Sequence, residues 1–468
     1  MKPTLDNYKD LVWTEENVSH DDYFNFFENL HTAAKLEFLK FLLKNYPEYD
    51  SSWIEFYFDI RDELDKENDK ETVIEFTDFL REECPTVYKK EFSYLDRLPI
   101  AISIYKNDLE KLKKQFTETV NNPAKAIDDT MRFGFNILSA DRKFWDYTKS
   151  VAQQVWQPLR DADNLIGAAE FDYSLFLYCD YLEQAFDKIK NGEIVDWELF
   201  KQNVEEIDFK YVEELESLPE TDYEINWQLF HRRKAYRNEH YMKMMFHALY
   251  SIYVDTGIPT YWVFRTWMDL RNYMLDDDDA SSNRKNWFAF TPLMIDRFGG
   301  KLNGFLGGNQ VAMTIETFTI PYLYDYFLKM NFIDQALFDD LMLKYDAVRR
   351  TVIKIATNDL WRYAALYAWQ KPSYLSEERF EAEKALTHNS FDLNYEDANK
   401  ATKEFIASLP ELPKSTQAPP PKPNPMFDLF GGSSGRSKPK RDTSKPKKQR
   451  KKKPKNNRKA GKKGKKRR

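Results

Sequence analysis

Leu36–Pro47 reads LEFLKFLLKNYP and Ile74–Pro85 reads IEFTDFLREECP. Aligned on their prolines, the two stretches set Phe38 over Phe76, Phe41 over Phe79 and Leu42 over Leu80, nine, six and five residues before the proline. Apolar residues three and four apart share one face of an α-helix, and a proline just beyond them cannot continue it. Each stretch therefore predicts an amphipathic helix with a fixed stop, and the two stops are 38 residues apart. A third proline, Pro123, stands 38 further on. Thr117 and Glu118 interrupt the apolar pattern there, with Phe116 and Val120 as the nearest substitutes.

From Asp21 to about Glu216 the apolar spacing of three and four persists while glycine is nearly absent, which predicts consecutive amphipathic helices rather than strands. A period in the thirties, with a proline closing the second helix of each pair, resembles the tetratricopeptide-like helical hairpins and, more loosely, other α-solenoids. The resemblance covers roughly Asp21 to Arg160 and concerns the fold. It departs from the tetratricopeptide pattern in one respect: small residues are not found at a consistent offset from the prolines. Lys35 and Val73, for instance, both stand twelve before theirs. The fold class is all-α, a helical-repeat (α-solenoid-like) or irregular multi-helix body with a disordered basic C-terminal tail.

Four regions follow from composition: a repeat-like region over 1–220, an aromatic-rich helical region over 221–407, a proline-rich linker over 408–430 and a Lys/Arg-rich tail over 431–468. In the second region Ile225 to Tyr253 predicts one long helix carrying Arg232, Arg233, Lys234 and Arg237, a secondary basic cluster that either meets phosphate or forms a solvated face. Asp276 to Asp279 predict a surface loop able to receive the basic tail. Five glycines between Gly299 and Gly308 predict a hinge or a close backbone approach, with ligand contact as the alternative. Asp346 stands three and four residues before Arg349 and Arg350, the spacing of exposed helix pairs. Ser376 opens a further helix as its N-cap.

The linker, with Pro419 to Pro421 and Pro423, predicts an extended spacer. Within it Met426, Phe427, Leu429 and Phe430 form a short apolar motif for docking to a partner or back onto the body. Beyond it the tail holds 20 basic residues and one acid, Asp442, a formal +19. They are Arg436, Lys438, Lys440, Arg441, Lys445, Lys447, Lys448, Arg450, Lys451, Lys452, Lys453, Lys455, Arg458, Lys459, Lys462, Lys463, Lys465, Lys466, Arg467 and Arg468. The whole chain carries −6, so residues 1–430, with 50 basic and 75 acidic residues, carry −25. Such an arm binds phosphates by counterion release. It has no aromatic residue for base stacking, which excludes sequence readout of that kind. An address signal, an acidic protein partner and anionic lipid are the other uses of a polybasic run.

Signals of catalysis and metal binding do not assemble. Gly431, Ser433 and Gly435 spell GxSxG within a linker, without the strand and helix a nucleophile elbow needs. Glu28 and His31 lack the second Glu-x-x-His of a di-iron bundle, and His240 and His247, seven apart, stand about 10 Å apart along a helix axis. Cys84 and Cys179 read as core residues, and no cofactor or metal is expected. MKPTLDNY at the start lacks the apolar region of a signal peptide, and no apolar run approaches ~18 residues; the expected compartment is cytoplasmic, nuclear or nucleolar in a eukaryote. The resulting expectation is a non-enzymatic scaffold with an unknown protein partner on its body and RNA, ribosome or DNA on its tail. The alternatives are an enzyme with an unrecognised site in the C-terminal helical region and a membrane-surface adaptor.

Overall fold

The computed structural model describes residues 2–49, 53–126, 132–161, 167–207, 225–275, 286–289 and 310–412. The aspartate run 276–279, the glycine-rich stretch 299–308, the apolar motif 426–430 and the basic arm 431–468 lie outside the described residues. All regular structure among the described residues is helical.

Three helices end at the three prolines. They are α2 (Thr32–Asn45), α4 (Lys70–Glu83) and α7 (Leu109–Asn121), and α1 (His20–Glu28) precedes them. Their C-caps, Tyr46, Cys84 and Asn122, share one backbone conformation, with φ/ψ of −139/57, −131/52 and −130/56. Proline's Cδ excludes the helical region for the residue before it, so the same clash terminates each helix in the same way. In each case the cap N–H still donates to the carbonyl four residues back, at Leu42, Leu80 and Glu118. The third unit is thus as real as the first two. Its buried set, Leu112, Gln115, Phe116 and Thr119, stands one residue later relative to its proline than Val73, Phe76, Thr77 and Leu80 do in the second.

A second periodic signal starts the helices. Asn68 and Asn107 adopt left-handed φ of 62° and 56°, a region asparagine tolerates better than most side chains. Each is followed by an aspartate N-cap: Asp69 accepts from the Thr72 N–H at 3.1 Å and Asp108 from the Lys111 N–H at 3.0 Å. The pair Asn-Asp therefore turns α3 (Trp53–Glu67) into α4, and α6 (Arg97–Tyr105) into α7. α5 (Pro85–Leu95) completes the set. Successive helices pack on their near neighbours: α2 on α3 and α4, α4 on α5 and α6, and α6 on α7. This is the contact pattern of a helical array.

Beyond the array, α8 (Pro123–Ala126) and α9 (Arg132–Ala140) lead into α10 (Trp145–Asp161), α11 (Gly167–Lys190) and α12 (Trp197–Glu206). α9 lies so close to α6 and α7 that a Cβ on Gly134 would stand 2.8 Å from the Phe116 ring and 3.2 Å from an Ile100 methyl. The segment expected as one helix over 225–253 is two. α13 (Trp227–Arg232) stops at Arg233, which is extended, and α14 (Lys234–Thr256) runs on to a left-handed Gly257 with φ of 71°. α15 (Thr260–Leu275) then packs on α11 and α14.

α16 (Gln310–Lys329) is buried at every position from Val311 to Tyr324, as a helix apolar on all sides must be. Pro321 inside it cannot donate to the Thr317 carbonyl. The Tyr345 hydroxyl of α17 (Gln335–Ile355) donates to that carbonyl instead, at 2.7 Å. The orphaned acceptor is satisfied from the neighbouring helix, which fixes how α17 sits. A 3-10 segment (Leu360–Ala368), α18 (Glu377–Asn389, capped by Ser376) and α19 (Tyr395–Ser408) follow. α19 packs on α3 and α17, and the 3-10 segment packs on α6 and α9, so this end of the body returns to the proline-closed hairpins. The described residues fall within one compact unit.

Candidate functional site

The secondary basic cluster is not a single patch. Arg232, Arg233 and Lys234 are exposed around the break between α13 and α14. Arg237 is buried, with Nη1 donating to the Phe230 carbonyl at 2.9 Å and the guanidinium over the Trp287 ring at 5.4 Å. The break directs one arginine into the core and leaves three basic residues outside it.

The histidines and cysteines have structural surroundings. His31 caps α2, its Nδ1 accepting from the Ala34 N–H at 3.4 Å, while Glu28 is exposed. His247 is buried with Nδ1 2.7 Å from the Tyr326 hydroxyl, and burial, with Lys329 nearby, lowers its pKa below that of an ordinary histidine. Cys84 and Cys179 are free and buried, and burial pushes the Cys179 thiol well up. Among the described residues no three His, Cys, Asp or Glu side chains gather as a metal site requires.

Asp346, Arg349 and Arg350 correct the expectation of exposed pairs, because all three are buried. Arg350 pairs with Asp346 at 2.8 Å, as the spacing implied. Arg349 instead reaches Glu383 of α18, with Nε and Nη2 at 2.8 and 2.6 Å from Oε2, and its guanidinium lies 4.1 Å from the Phe318 ring centroid. Arg379 bridges the two acids, reaching Glu383 Oε1 at 3.1 Å and also Asp346. The cluster fastens α16, α17 and α18 together. It is enclosed rather than open to a partner.

The open chemistry lies where the C-terminal segment meets the array. Lys70 Nζ donates to the Phe391 carbonyl at 2.8 Å and sits 4.9 Å over the Phe391 ring. Tyr105 stacks on Phe391 at 4.5 Å, meets Trp361 edge-on at 5.6 Å and donates to the His388 carbonyl at 3.3 Å. Trp369 Nε1 donates to the Ala140 carbonyl at 3.1 Å. These contacts join residues about 230 to 320 apart in sequence and form a clasp.

Among the described residues, cavities of about 240, 530 and 420 Å³ open around the clasp. The 530 Å³ cavity is bordered by Asp69, Glu71, Glu75, Asp78 and Asp392 against Lys70, Lys106 and Lys111. Lys143, Lys384, His388 and Arg362 reach the 420 Å³ one. The 240 Å³ cavity gathers Arg61, Lys70, Arg97 and Arg362 with Asp65 and Asp359. Burial lowers the pKa of Lys70; Asp65 opposes that shift and the Arg362 guanidinium adds to it. Burial likewise raises Asp65 above the usual carboxylate range. None of these four cations stands out in the sequence, since Arg61 and Arg362 are brought together only by the return of the chain.

Compared with known protein families, with characterised proteins and with solved structures, the chain matches none. No described helix is long and apolar enough to cross a membrane.

Proposed function

We propose that the protein is a helical scaffold whose acidic body takes a protein partner while its basic arm holds a polyanion, with RNA or the ribosome favoured over DNA. The observation that carries this reading is the segregation of charge, −25 over residues 1–430 against +19 over residues 431–468. Charge divided so sharply within one chain supports long-range attraction to phosphate by the arm and its avoidance by the body. The arm contributes affinity and speed of encounter without base readout, and selection among polyanions falls to whatever the body binds.

Crosslinking in cells followed by sequencing of the bound RNA, with the full chain compared to one ending at Phe430, tests the reading. Enrichment of a defined RNA by the full chain, lost on truncation, is expected. Equal recovery from the two forms, or no RNA from either, refutes the polyanion role of the arm.

A further inference from the structure

We infer that Asp96 makes a proton-operated joint in the array: its carboxyl, enclosed by α4, α5 and α6, holds the three helices together while protonated and loosens them when it ionises. Asp96 stands where α5 ends and α6 begins. Aspartates at other helix starts, Asp69, Asp108, Asp196 and Asp334, each commit the carboxylate to a backbone N–H of the first turn. Asp96 makes no such cap. Its side chain turns sideways instead, accepting from Nη2 of Arg81 on α4 at 2.8 Å and from the hydroxyl of Tyr88 on α5 at 2.5 Å. One carboxyl thus ties three successive helices.

The charges around it do not balance. Arg81 reaches Asp78 with Nη1 and Asp96 with Nη2, so one guanidinium serves two carboxylates and the trio sums to a formal −1. Arg81 Nε is buried without a hydrogen-bond partner, so neither acid receives the two parallel bonds of a full guanidinium fork. The Asp78 side chain is 35% exposed and keeps water on its charge, whereas that of Asp96 is 0% exposed. The uncompensated charge therefore falls where water does not reach, and there the ionised carboxyl is the costly form. The neutral form keeps its partner, because the Tyr88 hydroxyl accepts a hydrogen bond as well as donating one. Two further titratable groups face the joint. Tyr57 on α3 senses the Asp96 charge, and Arg97, next in the chain on α6, lies over the Phe133 ring of α9 at 4.6 Å.

Burial sets the direction of the response. It lifts the Asp96 carboxyl from the ordinary 3.8 to about 7. Between these values the closed joint holds a proton that the opened joint releases, so opening grows easier as pH rises, by up to about tenfold per unit. Above about 7 the closed joint has ionised as well, and the opening stops changing.

Hydrogen–deuterium exchange of the full chain between about pH 5 and 8, with each rate divided by the intrinsic amide rate at that pH, reads the opening. Amides of α5 and α6 are expected to open roughly a hundredfold more often at pH 7 than at pH 5, to level off beyond, and to lose protection before those of α16. Asp96→Asn is expected to remove the pH dependence in α5 and α6. Asp78→Asn leaves Arg81 to Asp96 alone and is expected to move the whole window to lower pH. Asp96→Asn strands a buried guanidinium and risks the fold; Asp78→Asn, at a partly exposed position, decides if the other fails to fold. A flat profile in the unaltered chain, a slope that survives in Asp96→Asn, or a window that stays in place in Asp78→Asn overturns the joint. Loss of protection in α5 and α6 only in step with α16 is global unfolding, and overturns it too.

Discussion

Replacing Glu383 with Gln keeps the side chain's volume and removes the charge that Arg349 needs. Arg349 is 1% exposed and places two nitrogens on one oxygen of Glu383, at 2.8 and 2.6 Å. A guanidinium does not deprotonate in a protein, so the variant leaves a full positive charge in the core with only a neutral amide oxygen and the Tyr345 hydroxyl, 3.4 Å away, to meet it. Breaking one side of a buried pair costs roughly 3–5 kcal/mol. The retained amide oxygen places Glu383→Gln near the lower end, about 3 kcal/mol. Arg379 keeps Asp346 and adds little. Unfolding entropy near ~2.1 cal/mol/K per residue over the helical body converts that to a fall in midpoint of roughly 3–4 °C. Urea unfolding followed by helical circular dichroism and by tryptophan fluorescence measures the cost. The double variant Arg349→Met with Glu383→Leu removes both charges and is expected to recover most of the loss, because apolar replacement of a whole buried pair is close to neutral. A cost below about 1 kcal/mol for Glu383→Gln, or a double variant as unstable as the two single losses summed, refutes the account of this cluster.

Burial pushes the Asp96 carboxyl up to about 7, against the Arg81 guanidinium at 2.8 Å and the Tyr88 hydroxyl at 2.5 Å, which favour its charged form. Between the ordinary 3.8 and 7 the folded chain therefore holds a proton that the unfolded chain releases, and stability falls as pH rises through that window. Asp96→Asn is expected to flatten the slope of stability against pH there, and an unchanged slope counts against the assignment. Gly134→Ala drives a methyl into the Phe116 ring and is expected to cost about 1–3 kcal/mol by overpacking, read as a lower urea midpoint; a neutral effect means that α9 moves freely. RNA affinity of the full chain is expected to drop ~10³–10⁵-fold between about 50 and 200 mM salt if six to ten phosphates are met. Filter binding that is flat with salt excludes the arm as the contact. Neutralising Asp276 to Asp279 is expected to tighten polyanion binding by removing a competitor for the arm, and unchanged affinity ends the idea of internal docking.

The parts of the fold that could be read from the sequence are those whose physics is local. Pro47 and Pro85 stop helices through a clash with the residue before them, and that clash acts wherever a proline follows an apolar helical face. The third unit was harder to see because Leu112 and Phe116 are displaced by one residue against Pro123, which breaks an alignment by position while leaving the helix intact. Asn68-Asp69 and Asn107-Asp108 were an available signal of the opposite helix ends, written in two residues each. Arg349 was misread because an acid three residues before an arginine looks the same on an exposed helix and on a buried one. Its partner, Glu383, lies 34 residues downstream, beyond any helical spacing. The junction was invisible for the same reason on a larger scale: nothing near Lys70 announces Phe391, 321 residues away.

An open row of helical hairpins frays from its edges, one hairpin at a time, because each touches only the next. The clasp alters that behaviour. α3, α4 and α6 are each gripped from outside their own neighbourhood, by α19, Phe391 and the 3-10 segment respectively. Loosening that starts in the first hairpins is arrested at α3, and the returning segment cannot lift without uncovering Trp361 and Phe391 together. A protease cut between α17 and α18 would thus be felt some 300 residues earlier in the chain, at Lys70, while a cut beyond α19 leaves the grip in place. The body behaves as a closed buckle, and the chain leaves it from the tongue, at the end of α19.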